Sequence, residues 1–171
     1  MSQKNYKILL NNVRAFIFDI DGVMTNGKVL ITTDGEALRE INTRDGYALK
    51  HASRKGFKIG VISGGKNQSV KRRLELVGVN KVYIGVNEKE KAFSDFIDAF
   101  KIEPEQVLYM GDDIPDITVM EKVGVATCPQ DAVSDIKKIS HYVSHKNGGE
   151  GCVREIIEQV MRVQNKWYVK K

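Results

Sequence analysis

The chain has 171 residues, of which 42% are hydrophobic and 29% charged, with a net charge of +5; this is the profile of a soluble globular protein with a sizeable core. No apolar run reaches the roughly 20 residues of a membrane helix, and residues 1–10 lack the apolar stretch of a secretory signal, so no membrane partner is expected. The basic residues are scattered (Lys50, Arg54, Lys55 and Lys58; Lys71, Arg72 and Arg73; Lys170 and Lys171), which suits a small anionic substrate and does not call for nucleic acid.

Residues 13–19 are a continuous apolar run ending on a carboxylate, the pattern of a strand buried in a parallel sheet. Residues 28–33 and 36–42 flank Asp34-Gly35, which predicts a β-hairpin. Helical patterns follow over 46–55 and 67–77, each stopped by a glycine, Gly56 and Gly78. Between and after them, 57–63 and 81–84 read as strands. A helix over 89–100 precedes Pro104, and strands over 106–110 and 124–127 bracket a short helix near 115–122. A second short helix near 132–139 and a longer one over 150–163 come last. Cys128 and Cys152 lack metal-ligand spacing and suggest no disulfide framework, so a reducing cytoplasm is the simplest compartment. Strands alternating with helices predict an α/β fold, a Rossmann-like three-layer sandwich on a central, mostly parallel sheet with a protruding hairpin. No repeat or linker interrupts the pattern, and residues 1–171 read as one domain.

Candidate chemistry collects at strand ends. The first strand runs into Asp19-Ile20-Asp21-Gly22, and strand alternation points both carboxylates the same way. In an open α/β sheet, ligands bind beyond the carboxyl ends of the strands. An EF-hand starting at Asp19 fails, because Met24 and Leu30 stand where it needs Gly and Glu. The 106–110 strand ends in Gly111-Asp112-Asp113-Ile114-Pro115-Asp116, a second acidic cluster at the same edge, and paired hard oxygen ligands suit Mg²⁺. Ser63-Gly64-Gly65 offers a hydroxyl and free backbone N–H groups for phosphate oxygens, and Lys89 a positive charge, with Lys91 competing for that role. The near-P-loop string over residues 60–67 has Asn67 where Ser or Thr must bind magnesium, and its first glycine falls in a strand.

Asp19-x-Asp21-Gly22, Ser63, Lys89 and Gly111-Asp112-Asp113-x-x-Asp116, in that order, resemble the four motifs of the haloacid dehalogenase superfamily. The residue 19–27 string, the hairpin, Asn42-Thr43-Arg44-Asp45-Gly46 and the tail over 148–155 are similar to the family of 3-deoxy-D-manno-octulosonate 8-phosphate phosphatases of lipopolysaccharide biosynthesis. Gly65 departs from the larger residue that family often carries there.

The resemblance implies Asp19 as nucleophile and Asp21 as general acid and base, with catalytic help from Ser63 and Lys89. It implies Mg²⁺ held by Asp19, Asp112 and the Asp21 backbone carbonyl, with Asp113 and Asp116 acting on the metal through water. Ser63, Gly64 and Lys89 would bind the phosphoryl group, and Arg73 and Arg154 would serve the sugar acid. Only 25 residues separate Ser63 from Lys89, which leaves no room for a cap domain. A homotetramer is therefore expected, with the hairpins paired into a barrel and the glycine-rich 148–151 segment reaching a neighbour's site as a lid. Two further readings are a phosphatase for a nine-carbon sialic-type acid and a non-catalytic sugar-phosphate-binding module. A receiver-type phosphoacceptor has its acidic residues in a different order.

Overall fold

A computed structural model of the chain describes residues 5–168; Lys170 and Lys171 lie outside them. Six strands form one sheet: β1 (Ala15–Phe18), β4 (Lys58–Ile62), β5 (Lys81–Tyr83), β6 (Val107–Met110), β7 (Val125–Cys128) and β8 (Tyr142–Val143). Their order is β5-β4-β1-β6-β7-β8, and every pairing is parallel, so the sheet is more uniform than the mostly parallel one expected. The chain leaves β1 in one direction to build β4 and β5, then returns to the other side of β1 for β6. That reversal puts a crevice beyond the carboxyl ends of β1 and β6.

Alternation along the strands divides the core. Phe16 and Phe18 of β1 face one layer together with Leu108, Met110 and Val125. That layer is filled by α2 (Thr43–Arg54), α3 (Gln68–Leu76) and α7 (Cys152–Val163). Ala15, Ile17, Val107, Tyr109 and Ala126 face the other, against α4 (Lys89–Phe100), α5 (Ile117–Met120) and α6 (Ser134–Ile139). Burying one such side chain contributes about 1.5–3 kcal/mol, and β1 buries all four of its residues. A first short helix, α1 (Tyr6–Leu9), packs beside α7 through the Tyr6 hydroxyl, which donates to Gln159 at 2.8 Å.

The hairpin is real but short. Strands β2 (Leu30–Ile31) and β3 (Ala37–Leu38) pair with Leu30 opposite Leu38, outside the six-stranded sheet. The Thr32 N–H donates to the Glu36 carbonyl at 2.9 Å, and Gly35 takes a φ of 83° in the loop between them. Thr33-Asp34-Gly35 is therefore a three-residue loop with glycine in the left-handed region, not the two-residue turn that Asp-Gly alone suggests.

Candidate active site

The site grows from the crevice. Asp19 follows β1 directly, and its N–H still pairs with the Met110 carbonyl at 3.1 Å, so the carboxylate is held at the last rung of the ladder. Its Oδ1 accepts from the Ile20 N–H at 2.7 Å, and its Oδ2 lies 2.9 Å from Lys89 Nζ. Lys89 opens α4 and is 7% exposed, and Asp19 is 8% exposed. The same Nζ contacts Asp116 Oδ1 at 2.7 Å. Lys91, by contrast, pairs with Glu88 in solvent, so the choice between the two lysines is settled by burial.

Asp116 is the hub. Its Oδ1 also accepts from the Tyr109 hydroxyl at 2.6 Å, and its Oδ2 from the Asp112 and Asp113 N–H groups at 3.0 and 3.3 Å. Both oxygens are thus spent on protein donors, and the residue orients Lys89 and the turn after β6. Asp113 caps that turn, accepting from the Ile114 N–H at 2.8 Å.

Asp112 differs. Its Oδ1 is buried and has no hydrogen-bond partner. Carboxylate oxygens of Asp19, Asp112 and Asp116 lie within 4.8 Å of one another. Burial, then repulsion from Asp116, pushes the Asp19 carboxyl up to about 6 against the pull of Lys89. Burial, then repulsion from Asp19 and Asp116, pushes Asp112 up to about 7. Burial would lower the Lys89 ammonium, but Asp19 and Asp116 outweigh it and leave it raised. Three carboxylates around one ammonium leave two charges uncompensated, the charge of one divalent cation, and Asp112, a member of that cluster, carries a buried oxygen with no partner. A magnesium ion fits this donor set.

A loop of tight backbone supports these groups. Gly22 has a φ of 85°, and a Cβ there would sit 2.0 Å from Asp112 Oδ2, so only glycine lets the two strand ends approach. The Thr25 hydroxyl accepts from the Gly22 and Gly27 N–H groups at 3.3 and 3.2 Å. The residue 148–151 segment lies under this loop. Gly149 N–H donates to the Val23 carbonyl at 2.9 Å, Gly148 N–H to Asp131, and Asn42 to the Gly149 carbonyl. A Cβ on Gly148 would stand 1.9 Å from the Gly22 carbonyl oxygen. Within its own chain, the segment braces the nucleophile loop.

Asp19, Asp21, Ser63, Gly64, Lys89 and Asp112 line one open cavity of about 510 Å³. Ser63 is buried, and its hydroxyl accepts from the Gly65 N–H at 3.1 Å. Two of the expected substrate-binding residues are elsewhere. Arg73 borders a separate groove of about 670 Å³ between the hairpin and α3, because α3 carries it outward while Leu74 and Val70 turn in. Arg154 sits over the rings of Tyr47 and Trp167, each 5.6 Å from its guanidinium carbon. The Asp21 carboxylate is not in the acidic cluster; it is paired with Arg39.

A model of the haloacid dehalogenase-like hydrolases matches residues 40–124. The 3-deoxy-D-manno-octulosonate 8-phosphate phosphatase of Salmonella typhi is 37% identical over 155 residues, covering 91% of this chain and 82% of that protein. The chain belongs to this phosphatase family. The solved Yersinia pestis phosphatase of that name superposes with a TM-score of 0.92 at 31% identity, covering 95% of this chain and 88% of its own. The Moraxella catarrhalis phosphatase, solved with magnesium, phosphate and KDO, gives 0.89 at 25% identity, with 93% and 91% covered. Membership of the family makes this chain a magnesium-dependent phosphoric monoester hydrolase. No described helix is long and apolar enough to cross a membrane.

Two residues that contact the acidic groups here escaped the sequence reading. Tyr109 was hidden in an apolar strand, although a lone hydroxyl in such a run is itself a signal of a buried partner. Arg39 stands alone in the hairpin with no motif around it.

Proposed function

We propose that this chain hydrolyses 3-deoxy-D-manno-octulosonate 8-phosphate to the free sugar acid and phosphate, as a cytoplasmic step of lipopolysaccharide biosynthesis. One observation carries the reading: the buried Asp19–Lys89 pair, beside an Asp112 oxygen with no partner, lies in a chain alike over nine-tenths of its length to phosphatases of that substrate. Asp19 attacks phosphorus in line; the new O–P bond forms as the bond to the sugar oxygen breaks, and Asp21 gives that oxygen its proton. Asp21 then takes a proton from the water that attacks the aspartyl phosphate, which frees phosphate and regenerates Asp19. Ser63, Lys89 and the Gly64 N–H hold the equatorial oxygens. Magnesium, held by Asp19, Asp112 and the Asp21 backbone carbonyl, offsets the repulsion between carboxylate and phosphate.

The whole chain acts as one domain and assembles as a homotetramer. Leu30 and Ile31 are 68% and 64% exposed on strands of two residues, and pairing hairpins between copies covers them. Arg73 and Arg154 lie outside their own chain's cavity, so any role in binding the sugar acid runs through a neighbouring subunit. The buried thiols of Cys128 and Cys152, both unpaired, suit a reducing compartment.

The test is phosphate release from eight-carbon and nine-carbon keto-acid phosphates side by side in Mg²⁺. The eight-carbon substrate should have the higher kcat/KM, and Asp19→Asn should lose several orders of magnitude in turnover with the fold retained by circular dichroism. A preference for the nine-carbon acid would overturn the substrate, and retention of about a tenth of the activity by Asp19→Asn would overturn the covalent mechanism.

A further inference from the structure

Asp21 is gripped from outside the catalytic motifs. Arg39, just past β3, sends Nε to Asp21 Oδ1 at 2.6 Å and Nη2 to Oδ2 at 3.0 Å. Its Nη1 donates back to the Ala37 carbonyl at 3.0 Å, so the guanidinium is fixed at its own end as well. The Arg39 side chain is 11% exposed, against 34% for Asp21. Asp21 lines the Asp19 cavity and Arg39 does not. A Cβ on Gly65 would lie 3.4 Å from Asp21 Oδ2, Arg39 Nη2 and the Ser63 hydroxyl. Oδ2, held by the longer contact, is therefore the oxygen beside the phosphate-binding loop, and Gly65 leaves the space in which the pair sits.

We propose that Arg39 is the positioning residue for proton transfer: the hairpin, through a two-pronged grip, sets the orientation of the Asp21 carboxylate toward the departing sugar oxygen. This rests on the role given to Asp21 above. A carboxylate on a turn samples several rotamers, and a bidentate guanidinium removes that freedom before the substrate arrives. When the leaving oxygen enters, Oδ2 exchanges Nη2 for it while Nε keeps Oδ1. The proton that Asp21 took from the hydrolytic water of the preceding turnover moves from Oδ2 to the sugar oxygen as the P–O bond breaks, and Arg39 neither gains nor loses one. The hairpin is marginal by itself, and its seating reaches the Asp21 carboxylate through the Arg39 side chain.

The experiment compares Arg39→Met and Arg39→Lys with the wild type on the sugar phosphate and on p-nitrophenyl phosphate. Nitrophenolate leaves without a proton, and kcat/KM reports only the steps up to its departure. Arg39→Met should lower kcat/KM for the sugar phosphate about tenfold or more, through kcat rather than KM, and that for the aryl phosphate less than about threefold. Turnover should fall on both substrates, since water activation also uses Asp21, and Arg39→Lys should recover part of each loss. Equal losses in kcat/KM on both substrates, or none, would overturn the proposal. A wild type inactive on every sugar phosphate but active on the aryl ester would instead overturn the substrate assigned above, and the two failures are distinct.

Discussion

Asp112 and Asp113 are adjacent and chemically identical, and their surroundings give them different work. Asp112 sits in the acidic cluster with a buried oxygen that has no partner, whereas Asp113 spends its carboxylate on the Ile114 N–H. Asp112→Ala should weaken magnesium binding by at least tenfold in a calorimetric titration, and Asp113→Ala by little. The reverse order would refute the assignment. The strand-end carboxylates were legible in the sequence because the sheet forces them there: an apolar run that ends on Asp has one place to put it. Arg39 was not legible. Its partner is 18 positions away across a hairpin, and nothing in a single arginine says which carboxylate it will meet. The groove that Arg73 borders was not legible for a related reason, since helical spacing names the face a residue occupies but not what stands opposite.

At the scale of elements, periodicity and glycine stops located all but the smallest pieces. Helix α4 begins and ends where the pattern put it, at Lys89 and Phe100. The first strand lost its opening residues, because the Val13 N–H turns back to the Leu10 carbonyl. Strand β8 has two half-buried residues and α1 only four, too short for any period to register. The hairpin carries the assembly prediction. Leu30 and Leu38 are opposite each other and exposed. Leu30→Glu with Leu38→Glu places like charges together on that face without touching the main sheet. Light scattering should then show a mass near 19.2 kDa in place of about four times that value, with circular dichroism unchanged. An unaltered tetramer would show that the contact lies elsewhere.

For the molecule as a whole, the acidic crevice links stability to pH and metal. Without a cation, Asp19 and Asp112 are raised to about 6 and about 7. The folded chain then keeps protons that the unfolded chain has already released, so metal-free stability falls as pH climbs from the ordinary carboxyl value of 3.8 to those raised values. Magnesium competes with those protons in acid and meets bare carboxylates above pH 7. The rise in melting temperature on adding Mg²⁺ to chelator-treated protein should therefore be larger at pH 8 than at pH 5.5. A larger rise at pH 5.5 would show that other groups dominate.

The brace beneath the nucleophile loop also sets an order of events during synthesis. Asp19 leaves the ribosome early, yet the underside of its loop is closed by the Val23–Gly149 and Val23–Cys152 contacts. At about 5–20 residues per second, on the order of ten seconds pass between the two ends of that clasp. Throughout that interval the nucleophile loop of a nascent chain lacks the segment that closes its underside, and the catalytic loop is among the last parts of the protein to close.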